Sequence, residues 1–283
     1  MNNIKLKKEL KNKTILITGG SGSLGSNLVK KLLEYPVKSI RVLDTNEHSM
    51  FKLKHSLNNK KIRFLLGSIL DKERLQLAGD GVDFIIHAAA LKNIEITEYN
   101  PIETIDVNTN GLVNLIKMSM KNKPKKFLNI STDKSVKPTT VYGTTKLLSE
   151  KLISWAGTNL QPTKFGTVRL GNIIESRGNV FEIWEEEKNE KKPLSITDPL
   201  MKRYFMHIDE ASNFILESLF MINTGEIIIP KMKEFKIKEL ALKISSKHKI
   251  VGMRKKEKLE EILLTDDEKS NAYETKNMWI IKP

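Results

Sequence analysis

The clearest pattern in the chain is a series of short apolar or β-branched runs, each about one helix length from the next. Helix-like stretches lie between them at 23–35, 101–120 and 144–155. Strands that alternate with helices predict an α/β protein with a parallel sheet covered on both faces. Right-handed crossovers make such a sheet doubly wound. The predicted strands are TILIT (14–18), SIRVL (39–43), IRFLL (62–66), DFIIH (83–87), KFLNI (126–130) and GTVRL (166–170).

The alternation becomes irregular after about residue 175. A helix is predicted near 208–222, a strand at 225–230 and another helix near 236–246. We expect residues 1–172 to form the doubly wound domain, with its sheet completed by later segments. Residues 173–283 then form a smaller, partly discontinuous lobe beyond the carboxyl ends of the strands. Ligands bind in the crevice at that edge of such sheets.

Composition limits the classes of protein that fit. The chain has 283 residues, of which 39% are hydrophobic, so it can bury a full core. It has no cysteine, which excludes disulfides, thiolate zinc sites and cysteine nucleophiles and fits a reducing compartment. No apolar run approaches the ~20 residues of a membrane span. We therefore expect a cytoplasmic protein with no membrane span, and we predict no metal site.

The net charge of +14 arises from 48 Lys and Arg residues against 34 Asp and Glu residues. Such an excess fits nucleic acid, an anionic surface or a lysine-rich proteome. The basic residues are scattered and few aromatic residues lie among them, which disfavours a nucleic-acid partner. A small polyanionic substrate remains open.

A glycine-rich segment, TGGSGSLG (18–25), follows the first predicted strand and opens the first predicted helix. Gly19, Gly22 and Gly25 allow a sharp turn, close approach of the backbone to a pyrophosphate and tight packing of helix on strand. The helix N-terminus adds N–H donors and positive potential. The segment predicts a dinucleotide site, and a purely structural turn is the alternative.

Asp44 ends the second predicted strand, where a carboxylate can accept both ribose hydroxyls of an adenosine. This favours NAD, because a 2′-phosphate would meet the negative charge. The alternative is a helix N-cap with Asn46 and Glu47 downstream. Arg41, if it points outward, supports NADP instead. We therefore predict NAD or NADP, with NAD favoured.

A second segment, NISTDKSVKPTTVYGTTK (129–146), carries candidate catalytic groups. Tyr142 and Lys146 are one helical turn apart and share a face. A lysine ammonium beside a phenol lowers the phenol pKa from ~10, which makes Tyr142 a base for a hydroxyl proton while hydride leaves the same carbon. Thr132, at the end of a middle strand, supports this interpretation, and an ordinary helix face is the alternative.

With these motifs the chain resembles the extended short-chain dehydrogenase/reductases, which have a Rossmann fold. More narrowly it is similar to the UDP-N-acetylglucosamine 4,6-dehydratases of surface-glycan biosynthesis, including the type that inverts C5. The similarity extends through TGGSGSLG, HAAALKNIEITEYNP (87–101), STDKSVKPTTVYGTTK (131–146), RLGNIIESRGNV (169–180), SITDPLMKRYFM (195–206) and GEIIIPK (225–231).

The resemblance implies roles for single residues. Thr132, Tyr142 and Lys146 take the hydroxyl, tyrosine and lysine roles in oxidation at C4 of the sugar. Lys134 is then the base for the C5 proton, and Asp133 is the acid that protonates the departing 6-hydroxyl. Lys134 can act as a base only if burial or a nearby cation lowers its pKa from ~10.4 towards ~7–8.

The resemblance also implies the lining of two binding sites. The candidate cofactor-binding residues are Gly19, Ser21, Gly22, Ser23, Leu24, Gly25, Asp44, Ser68, Ile69, Ala88, Ala89, Tyr142 and Lys146. The candidate nucleotide-sugar residues are Lys92, Arg169, Asn172, Arg177, Arg203 and Arg254. Without the resemblance, each of these basic residues would be assigned to a surface ion pair.

Three departures from the family pattern bear on the cofactor and the lobe. Ser68 stands where an aspartate is usual, and LDTNE (43–47) replaces a serine-arginine pair of the NADP-binding members. Lys255 and Lys256 replace a Pro-Gly turn, which weakens the prediction for Arg254. Substrate-side segments, with Tyr142 where retaining members usually carry methionine, resemble the members that invert C5, whereas the cofactor segment LDTNEHSMFKL (43–53) is more similar to the retaining members. We give the substrate side more weight and expect inversion.

The expected activity is an NAD(P)-dependent 4,6-dehydratase of a UDP-N-acetylhexosamine, and we expect a homo-oligomer. A nucleotide-sugar epimerase or dehydrogenase remains the alternative among enzymes, although epimerisation at C4 needs no elimination pair. A non-catalytic protein that binds NAD or a nucleotide sugar is the alternative from another class.

Overall fold

The computed structural model describes residues 3–283, and a nine-stranded sheet lies at its centre. Six strands from the first part of the chain are parallel and each matches a predicted run: β1 (Thr14–Thr18), β2 (Ser39–Asp44), β3 (Ile62–Leu66), β4 (Phe84–His87), β5 (Lys126–Thr132) and β6 (Lys164–Leu170).

Later segments complete the sheet and build the lobe. The remaining strands are β7 (Asn172–Ile173), β8 (Leu194–Ile196), β9 (Lys202–Met206), β10 (Ile227–Pro230), β11 (Lys233–Lys236), β12 (His248–Ile250), β13 (Tyr273–Glu274) and β14 (Met278–Ile281). The large sheet has the order β13-β14-β10-β6-β5-β4-β1-β2-β3, in which β10 is parallel to β6 while β14 and β13 are antiparallel. The lobe contains the sheets β11-β9-β7 and β12-β8. A boundary at residue 172 therefore divides the chain into two parts, but both parts contribute strands to the large sheet.

Helices cover both faces of the large sheet and one side of the lobe. They are α1 (Asn3–Leu10), α2 (Ser23–Leu33), α3 (Glu47–Leu57), α4 (Lys72–Gly79), α5 (Ile94–Tyr99), α6 (Pro101–Ile105), α7 (Gly111–Asn122), α8 (Val141–Asn159), α9 (Val180–Asn189), α10 (Ile208–Met221), α11 (Ile237–Ile244) and α12 (Asp266–Asn271). None of the helices described within residues 3–283 is both long and apolar enough to cross a membrane.

Alternation along the strands explains why helices are needed on both faces. In β1 the side chains of Ile15 and Ile17 enter one buried cluster, which includes Leu28 of α2 and Leu216 of α10. The intervening Leu16 enters a second cluster on the opposite face, formed with α4, α7 and α8. Both clusters are apolar because a strand buried on both sides exposes none of its side chains to water. The predicted doubly wound Rossmann fold is confirmed.

The predicted helix at 101–120 is interrupted in the structure. A π-helical turn, Asp106–Asn110, separates α6 from α7. Its buried Asn108 accepts a hydrogen bond from the Leu91 backbone N–H (2.8 Å) and donates one to Thr145 of α8 (3.1 Å). Such turns are frequent at functional sites. Here the turn ties the segment after β4 to the helix that carries Tyr142.

Candidate active site

A cleft of about 1050 Å³ lies between the carboxyl ends of the parallel strands and the lobe. This volume is at the upper end of the ~300–1,000 Å³ typical of ligand pockets. Every candidate site residue predicted from the sequence lines this cleft except Asp133 and Arg169. The sheet and the lobe thus bring together residues that are up to 235 positions apart, from Gly19 to Arg254.

The glycine-rich turn forms one end of the cleft. Gly19 has φ +68°, and a Cβ there would lie 2.6 Å from the backbone nitrogen of Ala89. A Cβ on Gly25 would lie 2.2 Å from the Gly19 oxygen. Gly22 is the N-cap of α2 and provides no side-chain cap, so the first N–H groups of the helix are left for another acceptor. This cradle fits the pyrophosphate of a dinucleotide.

Asp44 lies beside this turn and is held by backbone donors. Its Oδ2 accepts from the Ser21 N–H and its Oδ1 from the Asn46 N–H, both at 3.0 Å. The N-cap of α3 is Asn46 and not Asp44, which leaves Asp44 facing the cleft. Arg41 does not reach the cleft, because its guanidinium donates to the carbonyls of Ala78 (2.8 Å) and Asp80 (2.6 Å). The condition under which Arg41 would favour NADP is therefore not met.

Four further predicted cofactor residues line the same end of the cleft. Ser68 is in the turn before α4, where its hydroxyl accepts from the Leu70 N–H (3.1 Å). The neighbouring Ile69 is buried and lies against Gly111. Ala88 follows β4 and donates its N–H to the Thr18 carbonyl (3.0 Å), which brings Ala89 against Gly19.

Arg177 was expected at the nucleotide-sugar end, but its contacts are at the glycine-rich turn. Its guanidinium donates to the Ser21 carbonyl (3.0 Å) and to the Ser49 hydroxyl (3.1 Å), and its N–H donates to the Ser23 hydroxyl (3.0 Å). Arg177 thus places a positive charge beside Ser21, whose backbone N–H donates to Asp44.

Tyr142 lies in the first turn of α8, whose start is fixed by two side chains. Thr140 is the N-cap and accepts from the Gly143 N–H, and Glu98 Oε1 accepts from the Val141 N–H (2.6 Å). Burial raises the pKa of Tyr142 to about 12, although the charge of Lys134 and a hydrogen bond with Thr132 act in the opposite direction. The expected lowering of the phenol pKa by Lys146 is wrong for this arrangement.

The reason lies in the contacts of Lys146. Its ammonium donates to the backbone carbonyl of Ile130 at the end of β5, and the residue is only 5% exposed. Burial lowers the pKa of Lys146 to about 8, while the nearby Glu150 acts to raise it. The Lys146 ammonium at the base of the cleft therefore releases its proton more readily than an ordinary lysine.

The pair Asp133-Lys134 lies in a single 3₁₀ turn, Asp133–Ser135, directly after β5. Asp133 is fully buried, and its Oδ1 accepts from the Thr132 hydroxyl (2.9 Å) and from Lys134 Nζ (3.0 Å). Asp133 therefore reaches the cleft only through its two neighbours. This corrects the expectation that its carboxyl faces the substrate directly.

Lys134 itself lies in the cleft, and its ammonium nitrogen is 3.8 Å from Glu261 Oε1 and 3.4 Å from Asn172 Oδ1. Burial acts to lower the pKa of Lys134, but Asp133 and Glu261 outweigh it, so the pKa is raised. The condition set from the sequence, a lowered pKa for Lys134, is therefore not met here, because two carboxylates outweigh both burial and the nearby cations Lys92 and Lys258.

The other predicted substrate residues are divided between the cleft and the core. Lys92 and Arg254 are exposed at the cleft mouth, where Lys92 donates to the Arg177 carbonyl (2.9 Å) and Arg254 pairs with Glu95 (3.1 Å). Arg203 is 7% exposed and donates to the carbonyls of Lys258 and Leu259. It therefore attaches the lobe strand β9 to the segment after residue 250.

Arg169 is not at the cleft, and this prediction is wrong. The side chain is 1% exposed and donates to both oxygens of Glu150 (3.0 and 2.8 Å) and both oxygens of Glu268 (2.8 and 2.9 Å). These carboxylates occupy the guanidinium, and they raise its pKa despite its burial. Arg169 joins β6, α8 and α12.

Sequence reasoning missed two residues that line the cleft, Lys258 and Glu261, and a third, Glu98, that supports it from α5. Lys258 donates to the Val136 carbonyl (2.7 Å), and Glu261 faces Lys134 across the cleft. Lys258 and Glu261 lie in a charged stretch outside any helix or strand, and Glu98 meets the start of α8 across 43 positions, so only the folded chain shows these contacts.

Comparison with known proteins agrees with these features. Residues 15–283 match the family model described as polysaccharide biosynthesis protein. The chain belongs to this family. The UDP-N-acetylglucosamine 4,6-dehydratase (inverting) of Campylobacter jejuni subsp. jejuni serotype O:2 is 40% identical over 278 residues, covering 96% of this chain and 83% of that protein. This confirms the resemblance seen in the motifs.

Other members of the family differ in activity. The UDP-glucose 4-epimerase of Rickettsia bellii is 34% identical and covers 95% of this chain and 82% of that protein. The X-ray structure of Pen from Bacillus thuringiensis matches with a TM-score of 0.90 at 32% identity, covering 96% of this chain and 89% of that chain. Family membership therefore fixes the scaffold, and the site must distinguish dehydratase from epimerase.

Proposed function

We propose that this protein is an NAD(P)-dependent 4,6-dehydratase of a UDP-N-acetylhexosamine, most specifically of UDP-N-acetylglucosamine, in polysaccharide biosynthesis. The observation that carries the proposal is the presence of Lys134, in contact with Asp133, in the same cleft as Tyr142. Oxidation and reduction at C4 need only the tyrosine. Elimination also requires a base and an acid, and a lysine held between two carboxylates can supply them.

The residues of the cleft fit a dinucleotide cofactor. The N-terminus of α2 and the glycine-rich turn would hold its pyrophosphate, and Asp44 would hold the adenosine ribose. When bound, the cofactor would supply the hydride chemistry, oxidation at C4 and reduction at C6 of the sugar, with no net oxidation. Asp44 and the distant contacts of Arg41 support NAD over NADP.

The chain's own residues handle the protons of the first step. Tyr142 is placed to accept the proton of the sugar 4-hydroxyl, but its pKa of about 12 keeps the phenol protonated at neutral pH. Its proton must therefore pass on as the 4-hydroxyl proton arrives. Thr132, hydrogen-bonded to both Tyr142 and Asp133, can relay this proton towards the Asp133 carboxyl, and Lys146, with its pKa of about 8, can accept it only in its neutral form.

The second step follows from the 4-ketone, which acidifies the neighbouring C5–H. Lys134 is placed to take this proton, and the 6-hydroxyl departs as water after it receives a proton. Asp133 acts through Lys134 and Thr132, since its carboxyl is buried. Reprotonation of C5 on the face opposite to the one from which Lys134 takes the proton gives the inverted, L-arabino product that we expect.

Incubation with UDP-N-acetylglucosamine tests the proposal, with loss of one water from the sugar nucleotide read by mass spectrometry. Tyr142→Phe should prevent oxidation at C4, whereas Lys134→Ala should still form reduced nicotinamide, seen by absorbance, but little dehydrated sugar. Lys137→Ala is the matched control, because Lys137 is exposed in the same segment. Near-native turnover of Lys134→Ala would remove Lys134 from the mechanism.

An epimerase is the second candidate, favoured by the relative in Rickettsia bellii. It would convert a UDP-hexose into its C4 epimer with no loss of mass, so the same assay distinguishes the two. A mass-neutral product would replace our proposal.

Three finer features are part of the proposal. Release of the bound dinucleotide by denaturation should give mainly NAD, and NADP would show that Arg177 and not Asp44 decides the ribose site. Proton NMR couplings of the first product should be those of inverted C5, and a D-xylo product would place the protein among retaining enzymes. We also propose a cytoplasmic location and a homo-oligomer, and the exposure of Tyr99 (87%) and Ile102 (70%) beside α8 supports the oligomer. Light scattering measures the oligomeric state.

A further inference from the structure

Glu261 lies on the lobe side of the cleft, opposite the 3₁₀ turn that carries Lys134. The residue is only 5% exposed, and its Oε1 is 3.8 Å from Lys134 Nζ. Its Oε2 is buried without a hydrogen-bond partner among the described residues, and the nearest cation to it, Lys258 Nζ, is 3.9 Å away. A buried carboxylate oxygen without a donor is unfavourable as an anion, so the Glu261 carboxylate has a stronger tendency to take up a proton than an exposed one.

The proposed elimination creates a requirement at Lys134. To take the C5 proton the lysine must be a neutral amine, yet it lies between Asp133 and Glu261, which favour its ammonium form. A group within the cleft must therefore accept one proton from Lys134 before C5 is attacked. Solvent is a poor acceptor, because only 19% of the Lys134 side chain is exposed.

The two carboxyls around Lys134 share one feature, a buried oxygen without a hydrogen-bond partner among the described residues: Asp133 Oδ2 and Glu261 Oε2. They differ in their other oxygen. Asp133 Oδ1 already accepts from both Thr132 and Lys134 and holds the turn together, whereas Glu261, on a different part of the chain, meets Lys134 at ion-pair distance, with 3.8 Å between Oε1 and Nζ. A shortening of about 1 Å would bring the Nζ and Oε1 atoms to hydrogen-bond distance.

We propose that Glu261 is the proton partner of Lys134, a positioning residue that accepts a proton from the lysine ammonium and so prepares the amine that attacks C5–H. This inference rests on the proposed dehydratase function. In the transfer one N–H bond of Lys134 breaks, its electron pair stays on nitrogen, and an O–H bond forms on Glu261. The ion pair becomes an amine and a carboxylic acid, and the net charge of the cleft does not change.

The charges around the pair act on the exchange in both directions: the raised pKa of Glu261 favours it and the raised pKa of Lys134 opposes it. Burial raises the pKa of Glu261, and Asp133 acts in the same direction, while Lys134, Arg203 and Lys258 act against it. Lys134 has a raised pKa because its carboxylate neighbours outweigh burial. The charged or titratable groups that face the pair are Asp133, Tyr142, Lys92, Arg203 and Lys258.

Glu261→Gln keeps the shape of the side chain but removes the proton acceptor. Reduced nicotinamide should still form, whereas dehydration at about pH 7 should slow about tenfold or more. The logarithm of the remaining rate should rise with pH with a slope of about one, because Lys134 must then lose its proton to solvent. Glu261→Asp should restore part of the rate and flatten the profile.

Glu260→Gln is the matched control, because Glu260 is half exposed, pairs with Lys202 and does not line the cleft. It should keep the wild-type rate and pH profile. A Glu261→Gln variant with wild-type turnover and profile would overturn the proposal. A variant that is slower by the same factor at every pH would also overturn it, since that pattern indicates only structural support.

A direct titration separates this inference from the proposed function. In protein labelled with ¹³C at the glutamate carboxyls, the resonance missing from Glu261→Gln belongs to Glu261. It should titrate above the ordinary value of ~4.3, and it should move in Lys134→Met. A resonance that titrates at the ordinary value would overturn the pairing. If the wild type makes no dehydrated sugar, the dehydratase function fails and the titration still decides whether the pair shares a proton.

Discussion

The two walls of the cleft are built by different kinds of interaction. The sheet wall is made of backbone: the glycine-rich turn packs directly on Ala89, and β1, β4 and β5 are joined by ladder hydrogen bonds. The lobe wall includes residues 251–258, which we call the strap. Side-chain ion pairs attach the strap to α5. Arg254 pairs with Glu95, and Lys256 pairs with Glu98 at 2.6 Å.

This difference indicates a division of tasks. A wall of close-packed backbone has one arrangement and suits a cofactor that is held through the whole cycle. Exposed ion pairs each contribute about 0.2–1 kcal/mol and are screened by salt. The strap can therefore open at low cost to admit a nucleotide sugar, while Glu98 connects its position to the start of α8 and hence to Tyr142.

The largest expected effect is at the buried base of the sheet wall. Arg169→Met would leave Glu150, which is 1% exposed, without its cation, and breaking such a pair costs about 3–5 kcal/mol. Urea unfolding should show this loss, while the variant that remains folded should bind UDP normally. Arg63→Met, at an exposed position of β3, is the control and should change stability by less than about 0.5 kcal/mol. Loss of UDP affinity in a stable Arg169→Met protein would restore Arg169 to the substrate site.

The second effect concerns the glycine-rich turn. The Cβ of Gly25→Ala would lie 2.2 Å from the Gly19 oxygen, so the turn or α2 must move, at a cost of about 1–3 kcal/mol. Affinity for the dinucleotide should fall with stability. Gly22→Ala is the matched comparison, because its Cβ would be 3.2 Å from the same oxygen and should be tolerated better by the fold. Equal melting temperatures for the two variants would contradict the packing argument.

The sequence predicted the sheet wall well and the lobe wall poorly, for a physical reason. TILIT is apolar on both faces because it is buried on both, and the glycines of 18–25 are demanded by local backbone geometry. In both cases the sequence pattern lies within a few residues of the strand or turn that it predicts. Glu261 and Lys258 meet Lys134 and Val136 across more than 120 positions, and no local pattern encodes that register.

The same reason explains the errors at single residues. Arg169 and Arg203 occupy motif positions that looked equally exposed, but one is enclosed by Glu150 and Glu268 and the other lines the cleft. The pKa of Tyr142 is raised by burial, and the pKa of Lys134 is raised by Asp133 and Glu261 against burial; only the packed chain supplies that burial and the Glu261 carboxylate.

A smaller effect should follow from removing the charge that attaches the strap. Glu98→Gln keeps an oxygen for the Val141 N–H but loses attraction to Lys256. Loss of about 0.2–1 kcal/mol should speed amide hydrogen exchange in 251–258 by up to about fivefold. The difference should disappear at ~1 M salt, where the screening length is ~3 Å. Glu103→Gln, exposed on α6, should exchange like the wild type. Unchanged exchange in Glu98→Gln at low salt would show that other contacts hold the strap.

The smallest expected net effect is at Lys256 itself, where two opposing terms nearly cancel. Lys256 has φ +67°, a left-handed conformation that costs a non-glycine residue about 1–2 kcal/mol. Lys256→Gly removes this strain together with the ion pair to Glu98, and it adds the backbone entropy of glycine, about 0.5–1 kcal/mol. Its stability should therefore remain within about 0.5 kcal/mol of the wild type. Lys256→Met keeps the strain and loses only the ion pair, so it should be the less stable of the two by urea unfolding. Both variants lose the ion pair and retain the hydrogen bond from Thr139 to the carbonyl of residue 256 (2.8 Å), so the difference between them measures strain against the backbone entropy of glycine. If Lys256→Gly is less stable than Lys256→Met, the entropy of glycine outweighs the strain at residue 256, and the left-handed conformation is not a significant cost to the strap.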